Sequence, residues 1–251
     1  MTGPIPPLGL EVWQAAWLAL SVLGAAWVRG YSGFGFSALV ITSAALVMDP
    51  VPLVATLVMC EIVLSVGQAR GVWRQVDWRR TWTLLAGAAV VMPFSFAIVA
   101  RMGEDVARMA ISGLVLVLCL AMARGWQFRG EVGWPGNVLT GMASGVANGA
   151  AVGGLPVAAF LAGQPVAAGV FRATLIGYLT LVCVIALPSL WATGLLGWSS
   201  LVLLAAFVPL MAAGLWLGGR RFHAANPSDF KRFTLMLLGG LALAGLARSL
   251  W

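Results

Sequence analysis

Acidic side chains are scarce in this chain: eight Asp and Glu in 251 residues, beside one histidine and three cysteines. A membrane enzyme needs several such groups gathered near an interface, and here they are scattered through loops, which argues against an enzyme, a metal and a cofactor. Cys60, Cys119 and Cys183 are odd in number and lack paired spacing, so no disulfide or thiolate metal site is expected. His223 lies in a basic loop, unsuited to either role. Charge of either sign is sparse, at 9% of residues against 61% hydrophobic, too little polar surface to enclose a water-soluble core. The net charge of +7 does not point to nucleic acid, because the basic residues sit in separate loops and form no face or tail.

Apolar sequence is what remains. Runs at roughly 10–28, 34–48, 52–69, 82–100, 107–123, 136–162, 168–189, 199–218 and 233–250 are mostly near the ~20 residues that cross a bilayer as a helix. The expected fold class is an all-α polytopic membrane protein with the lipid bilayer as its solvent. The stretch before the first run, MTGPIPPLGLE, lacks the positive segment of a signal peptide, so that run is expected to be retained. Tryptophans near run ends, among them Trp73, Trp78, Trp82, Trp126, Trp134, Trp191 and Trp198, suit interfacial anchoring.

The chain is also written twice. Asp49-Pro50-Val51 recurs as Gln164-Pro165-Val166 at an offset of 115, which lays GYSGFGFS (30–37) over GVANGAAV (145–152). Ala55-Thr56-Leu57 matches Ala173-Thr174-Leu175, and Trp73 matches Trp191, both at an offset of 118. Two membrane repeats follow, 1–125 and 126–251, within one integral domain, a plan common among secondary transporters.

Charge places the second copy upside down. Arg70, Arg74, Arg79 and Arg80 lie between the third and fourth runs, Arg124 and Arg129 follow the fifth, and Arg220, Arg221, Lys231 and Arg232 precede the last. Short basic loops stay cytoplasmic. The balanced loop 101–108 and the uncharged 191–200 are then external, and both termini are expected outside. Equivalent loops thus carry opposite charge in the two copies, as an inverted-topology repeat requires. One of the stretches 136–162 and 168–189 must then return to the side it came from. The first carries GVANGAAVGGLP (145–156), with four glycines, an asparagine and a proline, and is the one expected to break. By the repeat, 10–48 is the same hairpin or two full spans, with its tip at Arg29 to Gly35. Each repeat is thus a glycine-broken helical hairpin followed by three transmembrane helices.

Gly141, Gly145, Gly149 and Gly153 also fit plain close packing of helices, since small residues recur every fourth position. Their company suggests more. Both tips begin a helix, whose free N–H groups and positive dipole end favour an anion. Arg29, Glu61 and Arg172 fall inside apolar runs, where each costs roughly 2.5–3.5 kcal/mol at the bilayer centre. Glu61, Ser65 and Gln68 share one helical face, and Tyr178 lies beyond Arg172 on its helix. One reading makes Glu61 a structural ion-pair partner of Arg29 or Arg172, or lets Arg172 snorkel to the interface. In the other, Arg29 and Arg172 supply charge to a small anion, Ser32 and Asn148 donate hydrogen bonds, and the backbones of Gly33 to Gly35 and Gly149 to Gly154, Gly153 included, complete the cradle. Glu61, Ser65, Gln68 and Tyr178 then line the pathway, and Glu61 is the carboxylate placed to carry a coupling proton.

A glycine-rich segment early in each half, a Pro-containing turn (DPVP, GQPV), an A-T-L helix and the basic aromatic loop RGVWRQVDWRR together resemble the TauE/SafE family of sulfite exporters, over about 10–250. The tips depart from each other: the second reads AVGGLPV, whereas the first, GFGFSALVI, has no proline. The resemblance implies a bacterial inner-membrane transporter of sulfite or a small organosulfur anion. Alternating access, with one half rocking against the other, is the expected mechanism. A passive anion channel and a non-transporting scaffold or sensor stand as alternatives, and the apolar surface leaves room for a homo-oligomer.

Overall fold

The computed structural model describes residues 9–32, 34–69, 73–124, 130 and 132–221, together with 239, 240, 243 and 247. Its described residues form nine α-helices and no strand: α1 Val12–Ser32, α2 Phe36–Ala44, α3 Val54–Ala69, α4 Trp78–Val99, α5 Glu104–Ala123, α6 Trp134–Asn148, α7 Gly154–Ala162, α8 Ala168–Ala192 and α9 Trp198–Arg221. Short 3-10 turns at Val51–Leu53 and Trp73–Gln75 lead into α3 and α4. Five stretches, Val51–Gln68, Trp78–Val99, Glu104–Ala123, Gly169–Ala192 and Trp198–Gly218, are long and apolar enough to cross a membrane. This is a multi-pass membrane protein. Most of the last expected run, 233–250, and most of the basic loop before it lie outside the described residues.

Run 34–48 does not make a full span. Its helix, α2, has nine residues and is about 13 Å long, against about 31 Å for the 21 residues of α1. The two arms form a hairpin, because the end of α2 returns to the start of α1. Gln14 Nε2 donates to the Val47 carbonyl at 2.8 Å, Trp17 Nε1 donates to the Ser43 carbonyl at 3.2 Å, and the Ser21 and Ser43 hydroxyls meet at 2.7 Å. Arg108, at the start of α5, donates from Nε to the Ala45 carbonyl at 2.6 Å, a cation at a helix C-terminus where the dipole favours it.

Run 136–162 breaks as its glycines predict, into α6 and the nine-residue α7. Their bases are joined where the Val132 N–H donates to Gln164 Oε1 at 3.4 Å. The turn between them is a Schellman motif: Ala151 N–H reaches the Asn148 carbonyl at 2.9 Å and Val152 N–H reaches Ala147 at 3.0 Å. The left-handed residue this motif needs is Ala151, with φ of 55°, and not the usual glycine. At the first tip the left-handed residue is Gly35, with φ of 90°, just ahead of α2.

Two seams hold the helices together. Along α4 and α6, a Cβ added at Gly141 would strike the Leu84 backbone, one at Gly87 would strike the Val138 backbone, and one at Gly145 would lie 2.7 Å from the Ala88 carbonyl oxygen. Along α1 and α9, a Cβ at Gly214 would lie 2.6 Å from the Leu23 carbonyl oxygen, and one at Gly218 would strike Trp27. Backbones touch in both seams, which only small residues allow. Between them α3 packs against α8, and both reach the opposite seam, α3 against α9 and α8 against α4.

Candidate anion-binding site

The last turn of α1, the first turn of α2 and the middle of α3 meet around one buried ion pair. Arg29 is 0% exposed and Glu61 4%. Arg29 Nη1 lies 2.6 Å from Glu61 Oε2, close enough to pair charge but without hydrogen-bond alignment. Arg29 Nη2 donates to Ser65 Oγ at 2.8 Å. The other carboxylate oxygen, Glu61 Oε1, accepts from the Ser37 hydroxyl at 2.9 Å and from the Ser37 N–H at 3.3 Å. Ser37 is the second residue of α2, so the carboxylate sits at that helix's positive end. Three members of this cluster, Arg29, Glu61 and Ser65, were expected from sequence, and the Arg29–Glu61 contact is the ion pair weighed there as the structural reading. Gln68, two turns beyond Glu61 on α3, keeps a buried Oε1 without a hydrogen bond. Ser32 closes α1, while its side chain and Gly33 lie outside the described residues.

The second tip is built differently. Tyr178 on α8, fully buried, donates from its hydroxyl to Ser144 Oγ at 2.6 Å, and Ser144 donates to the Gly153 carbonyl at 2.6 Å. This relay ties the turn between α6 and α7 to α8. Asn148 is 4% exposed, and its Nδ2 is buried with no hydrogen-bond partner. Its amide lies against Gly153, which precedes α7: a Cβ there would sit 2.5 Å from Asn148 Cγ. Gly153 therefore makes room for that amide at the α7 N-terminus. Gly149 has another neighbour, since a Cβ on it would strike Ser95 Oγ and lie 3.1 Å from the Ser95 carbonyl oxygen of α4. Its missing side chain serves the α4–α6 seam. Arg172, in the second turn of α8, is half-buried and near enough to Arg29 for their charges to interact.

A family model described as "Sulfite exporter TauE/SafE" matches residues 18–245, a range that spans both hairpins. The chain belongs to this family. Comparison with curated proteins and with solved structures gives no match. As a TauE/SafE member the chain belongs with transporters and not with enzymes. Among the described residues, no three His, Cys, Asp or Glu side chains gather as a metal ion would need.

In this TauE/SafE chain the sequence reading passed over Ser37 and Ser144, the hydroxyls that anchor the two tips. Each had a signal. Ser37 is the first hydroxyl after the left-handed Gly35, at the position where a helix start leaves N–H groups free. Ser144 lies four residues before Asn148 and so shares its helical face. The two threonines of the A-T-L repeat also take up matching duties. Thr56 Oγ1 of α3 donates to the Ser200 carbonyl at the start of α9, at 3.4 Å, and Thr174 Oγ1 of α8 accepts from the Asp77 N–H at the start of α4, at 3.0 Å.

Proposed function

We propose that this TauE/SafE chain carries sulfite, or a related sulfur oxyanion or organosulfonate, across a bacterial inner membrane by alternating access. The observation that carries the reading is the buried cluster of Arg29, Ser37 and the α2 N-terminus. Such a set of donors is costly to bury without an anion, and here the Glu61 carboxylate occupies the anion's position. The second tip adds a donor of the same kind where the buried Asn148 Nδ2 adjoins the α7 N-terminus, and Arg172 lies near enough to Arg29 to add to the positive charge there. Together they would exchange the hydration shell of a small oxyanion for fixed hydrogen bonds.

The two-repeat plan, 1–125 and 126–251 in opposite orientation, is supported by pairing. The α1–α9 seam corresponds to the α6–α4 seam, and the Thr56 bond corresponds to the Thr174 bond, under exchange of the halves. Arg74, Arg79, Arg80 and Arg124 fall at the end where α4 begins and α5 ends, which the positive-inside rule assigns to the cytoplasm. The start of α1 then lies outside.

Flux in proteoliposomes tests the proposal, with sulfite, thiosulfate, sulfate, a short organosulfonate and chloride compared for wild type and Arg172→Gln. Saturable flux of a sulfur oxyanion with counterflow is expected. Arg172→Gln should lower it about tenfold or more, since a hydrogen bond to a charged group is worth ~1.5–3 kcal/mol. Non-saturating flux without counterflow would overturn the transporter reading in favour of a channel. Absence of flux for every anion in folded protein would overturn it in favour of a scaffold or sensor.

A further inference from the structure

We infer that Glu61 is a tethered stand-in for the substrate: the first tip is an anion site closed by the protein's own carboxylate, and protonation of Glu61 opens it. This rests on the anion-transport reading above and adds the coupling ion. With the carboxylate set aside, Arg29 Nη1, the Ser37 hydroxyl and the Ser37 N–H converge on the volume it fills. A guanidinium, a hydroxyl and a helix N-terminus are the donors a small oxyanion requires. Glu61 comes to them from a different helix, so its carboxylate can withdraw by a side-chain rotation that leaves α1 and α2 in place. Ser65, on Glu61's own helix, holds the other Arg29 nitrogen and keeps the guanidinium aimed when the pair opens.

Among the described residues, the surroundings leave one carboxylate to accept a proton. Arg29 from α1 and Ser37 from α2 contact Glu61, while Ser65, one turn farther along α3, is bonded to Arg29. The Cys60 thiol and Cys183 of α8 are near enough to feel the Glu61 charge, and Arg172 of α8 that of Arg29. From α9, Leu215 approaches α3 at Gly67, one turn and a half farther along. Among the described residues no second carboxylate joins the cluster. An incoming anion beside an ionised Glu61 would put two negative charges against Arg29 in a buried site, which desolvation disfavours. If Glu61 first takes a proton, the neutral acid releases Ser37 and Arg29, and the anion takes its place. For a monoanion the charge of the site is unchanged. The O–H bond formed on one side of the membrane breaks on the other, so one proton travels with each anion.

Two measurements test this. Proteoliposomes carrying a pH dye would be loaded with thiosulfate or methanesulfonate, neither of which carries its own proton near neutral pH. Wild type should move protons with the anion and respond to an imposed pH gradient. Glu61→Gln should lose both responses, any anion exchange it retains running without proton movement, and Glu61→Asp should restore coupling. An unchanged proton-to-anion ratio in Glu61→Gln would overturn the inference. The second measurement needs no transport: in detergent, formate should raise the Tm of Glu61→Ala by several degrees and leave wild type unmoved. A folded Glu61→Ala protein indifferent to formate would also overturn it. Formate rescue without wild-type flux would instead keep the first tip as an anion site and sink only the transport reading.

Discussion

Adding one methyl group at Gly141 should separate α4 from α6, and the cost can be worked from the packing. The added Cβ would strike the Leu84 carbonyl oxygen and lie 2.8 Å from its carbon and 3.0 Å from its Cα. All three are backbone atoms, so no rotamer change relieves the clash and the helices must part. Overpacking of this kind costs ~1–3 kcal/mol. Gly113 on α5 is the control, because a Cβ there would meet nothing within 4 Å. Gly113→Ala should gain about 0.5–1 kcal/mol from helix propensity alone. Gly141→Ala gains the same propensity, so the two variants should differ by the overpacking cost alone, roughly 1–3 kcal/mol. Thermal unfolding in detergent, followed by tryptophan fluorescence, reads the difference as a lower Tm for Gly141→Ala and a raised Tm for Gly113→Ala. Gly145→Ala should fall with Gly141→Ala, since its Cβ would lie 2.7 Å from the Ala88 carbonyl oxygen. Equal gains at 141 and 113 would refute backbone contact in the seam and return the glycine run to the tip.

Ala151→Gly should raise Tm: the left-handed backbone costs an L-residue ~1–2 kcal/mol, of which ~0.4–1 returns as lost chain entropy, leaving a gain of about 0.5–1 kcal/mol. Glu61→Ala should destabilise by ~3–5 kcal/mol because Arg29 is left buried without its counter-charge, and the Arg29→Met, Glu61→Leu double variant should regain most of that in the same thermal assay. Tyr178→Phe should cost ~0.5–1.5 kcal/mol, the net worth of its bond to Ser144, and its melting curve measures this directly. In membrane-impermeant thiol labelling of spheroplasts, cysteines introduced at Gly103 and Leu195 should react and one at Gln75 should not. Labelling of 75 and 195 from the same side would end the inverted-repeat proposal.

The spans and the broken 136–162 stretch were legible because the bilayer enforces them: length, apolarity and a glycine cluster act locally, and each can be read without knowing any neighbour. For run 34–48 the sequence left a hairpin arm and a full span both open, because an apolar stretch of fifteen residues is most of the length a span needs. Only the returning bonds from Gln14 and Trp17 mark it as the short arm of a hairpin. The site was half legible. Charge inside apolar runs singled out Arg29, Glu61 and Arg172, since burial makes such residues conspicuous. Which arginine Glu61 pairs with was left open between Arg29 and Arg172, because Arg29 and Glu61 are 32 positions apart and meet only when α1 and α3 pack. Ser37 and Ser144 are ordinary polar residues whose roles come from what stands opposite them. The glycines carried two meanings on one spacing rule, and packing separates them: Gly141, Gly145 and Gly149 face α4, while Gly153 faces Asn148.

The two glycine seams also decide which parts of the molecule can travel together. Each seam joins one helix from before residue 125 to one from after it, α1 with α9 and α4 with α6. Backbones in such contact cannot slide without lifting their ridges past each other, so the sequence halves are interlaced and do not form separate rigid blocks. Any movement that displaces α6 carries α4 with it, and any movement of α9 carries α1. The weaker partnership of α3 and α8 lies between these composite blocks. Shear between the blocks would change the distance from Arg29, on α1, to the Asn148 amide, on α6, so that a helix movement at either face would be felt between the two tips.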